Sequence, residues 1–433
     1  MNLSAASAQQ PLLRRALGRW DLTAIGVNQI IGGGIFLMPA PIVALIGNWS
    51  PWAFLLAGFA SFCVGLCFAE AGSRFSTTGG PYLYTRVAFG SFVAFETGWM
   101  QWFTRVSSQA TIVNGIAASL GFYWPEFREG WERVFLIVGV TLGFGVLNTR
   151  GIRQTAWAIN GFTAGKLIPL IVFAGVGMFY VDWRKFAPLP AVGWDQAAGA
   201  GLLLFFTFGG YDTIVVPGGE SRAPRRDLVF ALTAAIALSA AVMLAVQVVT
   251  MGTIDEVGSR AAPVAEAAAL FLGKWGAALV VVGSVVSMLG NSLGGALAAS
   301  RLLFAMGENG DVPRVFSRVH PQFGTPWVAI WFSTFVALVL ALTGSFAWLA
   351  ATSALARLAT YLSAAAATLA LRRPEFSGRV DAALYRTPFG PLVPLLAILS
   401  SCAMFAGASS EQLLAGLAAI AVGAILYGAR RVA

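Results

Sequence analysis

The sequence predicts an all-α membrane protein with twelve transmembrane helices, and three observations carry that prediction. Of its 433 residues, 58% are hydrophobic and 11% charged, whereas a soluble chain averages about 25% charged residues. Apolar runs close to the length of a bilayer crossing, about 20 residues, follow one another with short polar joints. Two of these runs are interrupted by adjacent glycines.

The runs fall at about 21–46, 51–73, 89–119, 133–149, 155–180, 196–219, 228–252, 275–305, 326–343, 346–371, 391–407 and 411–428. The third and eighth are long enough to tilt or to extend past the bilayer. Residues 1–20 read as a cytoplasmic tail, and they lack the apolar core and small-residue cleavage site of a signal peptide. No polar segment is large enough for a separate soluble domain. Cys63, Cys67 and Cys402 lie in apolar runs and read as small buried hydrophobes, which supports neither a disulfide framework nor a metal site. A single histidine, His320, argues against a histidine metal centre or histidine catalysis, and no cofactor is expected.

Basic residues in the short loops set the orientation. With the N-terminus in the cytoplasm, 19 of the 28 Lys and Arg fall on the cytoplasmic side, Arg430 and Arg431 among them. Six fall outside, including Arg128 and Arg133, and Arg105, Lys166 and Arg357 lie within spans. Both termini are therefore expected in the cytoplasm of a multi-pass protein of the plasma membrane. The net charge of +9 is a topology signal, and no nucleic-acid partner is expected.

Span one contains "IIGGGIFLMP" (31–40) and span six contains "LLLFFTFGGYDTIVVPGGE" (202–220). Glycine is about 1 kcal/mol worse than alanine inside a helix. Unwound backbone is tolerated at membrane depth only where it is buried in protein or lines a cavity. Two interrupted spans in corresponding positions of two halves point to a transporter built from inverted repeats. Here the halves are 21–180 and 196–371, with two further spans in 391–428. The half-helix after the first break starts with partial positive charge, so amides near Gly32, Gly33 and Gly34 suit a carboxylate. Carbonyls around Phe206 and Gly209 suit an ammonium, and a zwitterionic amino acid matches both. Glycines also serve close helix packing, but two matched breaks, one beside Asp212, favour a site.

Charges inside spans are functional candidates, because each costs at least about 2.5–3.5 kcal/mol at the helix centre. Lys166, in "NGFTAGKLIPLIVF", reads as a proton carrier, as a fixed cation where another transporter binds sodium, or as a lysine snorkelling to the interface. Asp212 titrates, orients a substrate ammonium, or caps the unwound segment. Arg105 and Arg357 pair with Asp212 or Glu96 or face a substrate acid group. A structural ion pair is the first expectation for both, with Arg105 also a candidate for specificity. In span eight, Ser287, Asn291 and Ser292 line the site opposite span one or join helices through hydrogen bonds of about 0.6 kcal/mol.

Three stretches resemble signatures of the amino acid–polyamine–organocation superfamily. "QIIGGGIFLMPA" resembles its first-span "IIGxGIF…P", and "FFTFGGYDTIVVPGGESRAPRRD" resembles its sixth span running into the following loop. "LLFAMGENGDVPRVFSRVHPQFGTPWVAI" resembles its eighth-to-ninth loop, so the likeness covers nearly the whole chain in order. The resemblance implies two inverted five-helix repeats of the kind first seen in the sodium-coupled leucine transporter, and amino acid transport. It implies that a substrate carboxylate meets the backbone at Gly33, Gly34 and Ile35. The ammonium would meet carbonyls at Ile30 and Ile31 and, across the site, at Phe206 and Gly209. Phe206 and Tyr211, flanking Gly209 and Gly210, match gating or pocket aromatics. Lys166 matches a lysine in the region of a sodium site, with Ser292 or Asn291 as its neighbour. Gly33 departs from the family, since many relatives carry serine or threonine there.

A major facilitator would show a longer central loop than "SRAPRRD", and a channel would show rings of like residues. A membrane-embedded enzyme needs convergent catalytic groups, and the intramembrane charges offer no nucleophile–base pair. The expected activity is secondary transport of an amino acid, independent of sodium, by proton symport or exchange. With Phe206 and Tyr211 as apolar walls, a neutral amino acid comes first. A cationic amino acid or polyamine recruited by Asp212 comes second. The expected partners are that small molecule and the bilayer; the sequence leaves the oligomeric state open, a monomer included.

Overall fold

A computed structural model describes residues 13–127, 129–343, 346–405, 407–408 and 410–429, with backbone alone at 118–119, 121–123 and 346–355. Residues 1–12 of the expected tail, Arg128, Arg430 and Arg431 lie outside the described residues. The first three helices, α1 (Arg19–Ile30), α2 (Gly34–Leu37) and α3 (Pro39–Ile46), divide the first apolar run. They are followed by α4 (Ser50–Gly72), α5 (Pro81–Phe89), α6 (Ser91–Tyr123), α7 (Gly130–Arg150) and α8 (Ile152–Gly177). The sixth run is divided again, into α9 (Trp194–Thr207) and α10 (Asp212–Val215). The remainder is α11 (Pro224–Thr253), α12 (Pro263–Glu308), α13 (Trp327–Thr343), α14 (Phe346–Ala370), α15 (Leu392–Phe405) and α16 (Ser410–Ala429).

Each predicted run is thus helical, and among the described residues β pairing is limited to two isolated bridges. Among the described residues, seven segments are long and apolar enough to cross a membrane, Pro39–Gly72 and Trp194–Val215 among them. Helices Trp327–Thr343 and Leu392–Phe405 are apolar but shorter. α6 is outside that set, and its buried positions include Gln101, Arg105, Ser107 and Gln109. The joint between the second and third runs, read as a loop, holds the extra helix α5. α12 runs through 46 residues but is kinked at Gly273 (φ 63°, ψ −159°), so a separate piece from Pro263 precedes the predicted span. Cys402 is exposed rather than buried, because α15 turns it outward, while Cys63 and Cys67 are buried.

α1 packs on α8, α11 and α12, while α9 packs on α3, α4 and α15 and α10 on α1, α4 and α11, so the two divided helices meet each other and long partners in the interior. Outward faces carry Leu56, Phe59, Phe179, Trp275 and Ile425 in the open. An exposed apolar surface of this extent needs a hydrocarbon environment. The fold is that of a multi-pass membrane protein.

Polar pairing concentrates at the end of the bundle where α1 begins. The N–H groups of Ala16 and Leu17 donate to the Glu220 carbonyl at 2.9 and 3.0 Å. The Glu220 carboxylate takes Arg301 of α12 bidentately at 2.9 and 3.1 Å, and both side chains are fully buried. Gly219 lets residues 77–78 lie close against this joint, since a Cβ there would stand 2.5 Å from the Thr78 hydroxyl. Nearby, Arg86 and Tyr82 both bond Asp311, the latter at 2.6 Å. Burial and then that hydrogen bond hold the Tyr82 phenol well above its usual range, so it stays a donor. Arg372 grips Glu70 at 2.8 and 2.6 Å.

Candidate functional site

The first break begins just after α1, at Ile31 (φ −80°, ψ 82°), and helix resumes at Gly34. Its carbonyls are nearly all engaged. Lys166 of α8 donates to Asn28, Ile31 and Ser287 carbonyls at 3.0, 2.6 and 3.3 Å. The Ser287 hydroxyl donates to Ile31 and Gly32 at 2.9 and 3.0 Å, and Asn291 donates to Gln29 at 2.9 Å. In return Asn28 and Gln29 donate their side-chain amides to the Gly290 and Asn291 carbonyls at 2.6 and 2.7 Å. Glycine at 290 makes room, because a Cβ there would meet the Asn28 amide oxygen at 2.5 Å. Lys166 is fully buried, so it does not snorkel.

On the other side of the break, the Gly33 and Gly34 amides open the half-helix α2, which continues through Met38 into α3. The first turn of a helix leaves its N–H groups unpaired. Gly34 lies against Thr207 of the other divided helix, with a Cβ position 3.0 Å from the threonine methyl, while Gly33 has nothing nearer than Met288 at 3.5 Å.

The second break spans 208–211. Gly209 N–H bonds the Phe206 carbonyl at 3.1 Å, and Gly210, at φ +119°, bonds the Tyr361 hydroxyl at 2.9 Å. A Cβ on Gly210 would stand 2.7 Å from the Gln29 carbonyl, so glycine brings the two breaks into contact. Asp212 opens α10 and accepts from Gln101 at 2.8 Å, Tyr361 at 3.0 Å and the Arg105 guanidinium. Asp212 and its three partners are all buried, and Arg105 reaches on to the Gln29 side chain at 3.5 Å.

Between the breaks lies a cavity of about 930 Å³. Ile30, Gly32, Gly33, Gly34, Phe206, Gly209, Gly210, Asn291, Ser292 and Arg105 line it. It extends past Leu37 and Met38 to Asn114 and Arg133, where α6 ends and α7 begins. Arg357 of α14 lines it too, its guanidinium carbon 5.1 Å from the centre of the Phe206 ring. The lining holds three arginines and no carboxylate.

Several placements differ from the sequence reading. Ile31 and Ile35 are buried behind the wall, and the Ile31 carbonyl already serves Lys166 and Ser287. Tyr211 is stacked on Tyr361 at 4.8 Å, away from the lining. The span-eight neighbour of Lys166 is Ser287, because Ser287 and Asn291, four apart, share the helix face that meets α1. Ser292 is turned onto the cavity wall. Asp212 is satisfied by Arg105 and stands off the lining, and Arg357, expected in an ion pair, has none among the described residues. Sequence reasoning missed Asn28, Gln29, Gln101 and Tyr361. The polar pair "NQ" directly before the glycines was the available signal for the first two.

A bundle of apolar helices enclosing a solute-sized cavity between two interrupted helices defines a multi-pass membrane protein with an internal binding chamber. The profile of a family described as amino acid permease matches residues 17–412, and the chain belongs to that family. The chain is 29% identical over 426 residues to an uncharacterized transporter of Mycobacterium tuberculosis, covering 97% of this chain and 92% of that protein. It is 29% identical over 408 residues to the serine/threonine exchanger SteT of Bacillus subtilis, covering 90% of each. With the branched-chain amino acid permease BcaP of the same organism it shares 26% over 451 residues, covering 98% of this chain and 95% of that protein.

Proposed function

We propose that the protein is a secondary transporter of amino acids that works by alternating access and without sodium. The observation that carries this reading is the cavity bounded by both broken helices. The Gly33 and Gly34 amides receive the substrate carboxylate. The Ile30 carbonyl, which accepts the Gly32 N–H and keeps a second lone pair, and the Phe206 carbonyl across the cavity receive its ammonium. Lys166 supplies a resident cation at the carbonyls of Asn28, Ile31 and Ser287, which removes the need for a metal ion there. Lys166, Asp212, Ser292 and Asn291 remain the coupling candidates. Lys166 is foremost, because Asp212 is neutralised in place.

In this reading twelve spans form two inverted repeats, 21–180 and 196–371, followed by the pair in 391–428. Both termini lie in the cytoplasm, at the plasma membrane. The cavity then opens to the outside through Asn114 and Arg133, while Glu220–Arg301 seals the cytoplasmic end. The exchanger among the relatives supports exchange as the mode of transport.

The test is uptake of labelled amino acids into proteoliposomes, with and without internal amino acid, in sodium or choline buffer. Equal uptake in both buffers, driven by internal amino acid or a proton gradient, is the expected result. Failure to move any amino acid would overturn the carrier reading. A steep rise with sodium would overturn the coupling.

A further inference from the structure

We propose, resting on that carrier reading, that the substrate is an amino acid whose side chain carries a second negative charge, and that Arg357 reads it. Among the arginines that line the cavity, Arg357 is the one that lies on the second break without a carboxylate in ion-pair contact among the described residues. Asp212 is saturated by Arg105, Gln101 and Tyr361 and stands behind the wall. Lys166 is bound to three carbonyls behind the first break. Arg133, near the mouth, bonds the Asn114 side chain. Arg357 is left: half-buried, stacked on Phe206, its buried Nε without an acceptor and no carboxylate within ion-pair distance among the described residues.

A guanidinium without a carboxylate in direct contact is only partly compensated, here by the Asp212 charge it feels at longer range, and a partner that brings an anion into contact repays the remaining cost. A zwitterion brings no net charge. A side-chain carboxylate brings one and fits the guanidinium fork with two parallel hydrogen bonds. Position strengthens the case. A Cβ on Gly209 would stand 2.4 Å from Arg357 Nη1, so glycine lets the guanidinium lie on the second break itself. An ammonium approaching the Phe206 carbonyl meets that like charge unless a second anion accompanies it. The apolar walls that suggested a neutral substrate include Tyr211, which does not line the cavity, and the acid that suggested a cationic one is occupied.

Proteoliposomes loaded with an unlabelled amino acid mixture are assayed in parallel with labelled glutamate and labelled serine, with aspartate, glutamate, serine, leucine and lysine as competitors. In the wild type, glutamate or aspartate should compete at concentrations at least tenfold lower than serine or leucine, and lysine should be weakest. Arg357→Gln should lower the glutamate-to-serine affinity ratio roughly 10- to 100-fold, the span of one or two charged hydrogen bonds. Arg357→Lys, which keeps the charge without the fork, should fall between. Gel filtration and thermal unfolding check that each variant folds, and the wild-type panel decides without them. If serine enters and acidic amino acids compete no better, the inference falls and the carrier stands. If no amino acid enters, both fall.

Discussion

The Lys166 ammonium donates to the Ile31 carbonyl at 2.6 Å, which fastens the fifth apolar helix to the unwound segment of the first. Two more carbonyls, of Asn28 and Ser287, share the same ammonium. Together they make Lys166 a fixed part of the break rather than a side chain waiting beside it.

Replacing Lys166 with methionine keeps the volume and removes the donor. The Ile31 carbonyl retains the Ser287 hydroxyl, and Asn28 retains only a long contact to Asn291 at 3.4 Å. Each under-satisfied buried group costs about 1–3 kcal/mol. We expect transport to fall at least tenfold, with a lower unfolding temperature in detergent. Residual flux should lose its dependence on a proton gradient or on internal amino acid. Wild-type coupling in Lys166→Met would reject Lys166 as the coupling group.

The two breaks differ in their tolerance of a side chain. Gly210 sits at φ +119° with the Gln29 carbonyl 2.7 Å from any Cβ, so Gly210→Ala combines backbone strain with a clash against main chain. Gly33 is at φ −70°, and its nearest neighbour is the flexible Met288 at 3.5 Å. Gly210→Ala is expected to abolish uptake or folding. Gly33→Ser should fold normally and shift substrate affinity within about tenfold, the scale of one neutral hydrogen bond. Equal effects of the two substitutions on uptake and gel-filtration profile would contradict this assignment.

How much of this was legible follows from the range of each interaction. Glycine triplets and pairs inside apolar runs announce the breaks locally, and a lone lysine among apolar residues announces itself. The partners of charges do not: Arg105 and Asp212 are 107 residues apart, and only the folded bundle brings the Arg105 side chain of α6 to the start of α10. Arg357 looks like Arg105 in sequence, yet among the described residues one is in a direct ion pair and the other is not. Choosing Ser287 over Ser292 as the neighbour of Lys166 needs the rotational phase of α12, which its polar residues alone leave open. Tyr361 lies in an alanine-rich helix with nothing nearby to mark it as the partner of both Gly210 and Asp212.

Removing one member of the Arg105–Asp212 pair should be worse than removing both. Asp212→Asn leaves a buried guanidinium without its counter-charge, a loss of about 3–5 kcal/mol in comparable pairs. Adding Arg105→Gln removes the stranded charge and should restore part of the unfolding temperature. Additive losses in the double variant, measured by thermal unfolding in detergent, would mean the pair is not coupled.

The Glu220–Arg301 pair distinguishes a seal from a staple. Its members come from the joint after α10 and from α12, and the Glu220 main chain also holds Ala16 and Leu17, so three segments meet there. A pair that only holds the fold lowers stability when it is weakened and leaves the conformational balance alone. A pair formed in one state of the carrier also shifts the population toward the other state, by tenfold for each 1.4 kcal/mol or so of differential stabilisation. Glu220→Gln retains the shape and weakens the charge pairing. On a Cys402→Ala background, which removes the exposed native thiol, Ser292→Cys reports the cavity wall. We expect Glu220→Gln to reduce labelling of that cysteine by an impermeant reagent added outside, and to raise labelling from the cytoplasmic side in inverted vesicles. A lower unfolding temperature with an unchanged inside-to-outside labelling ratio would make the pair a staple.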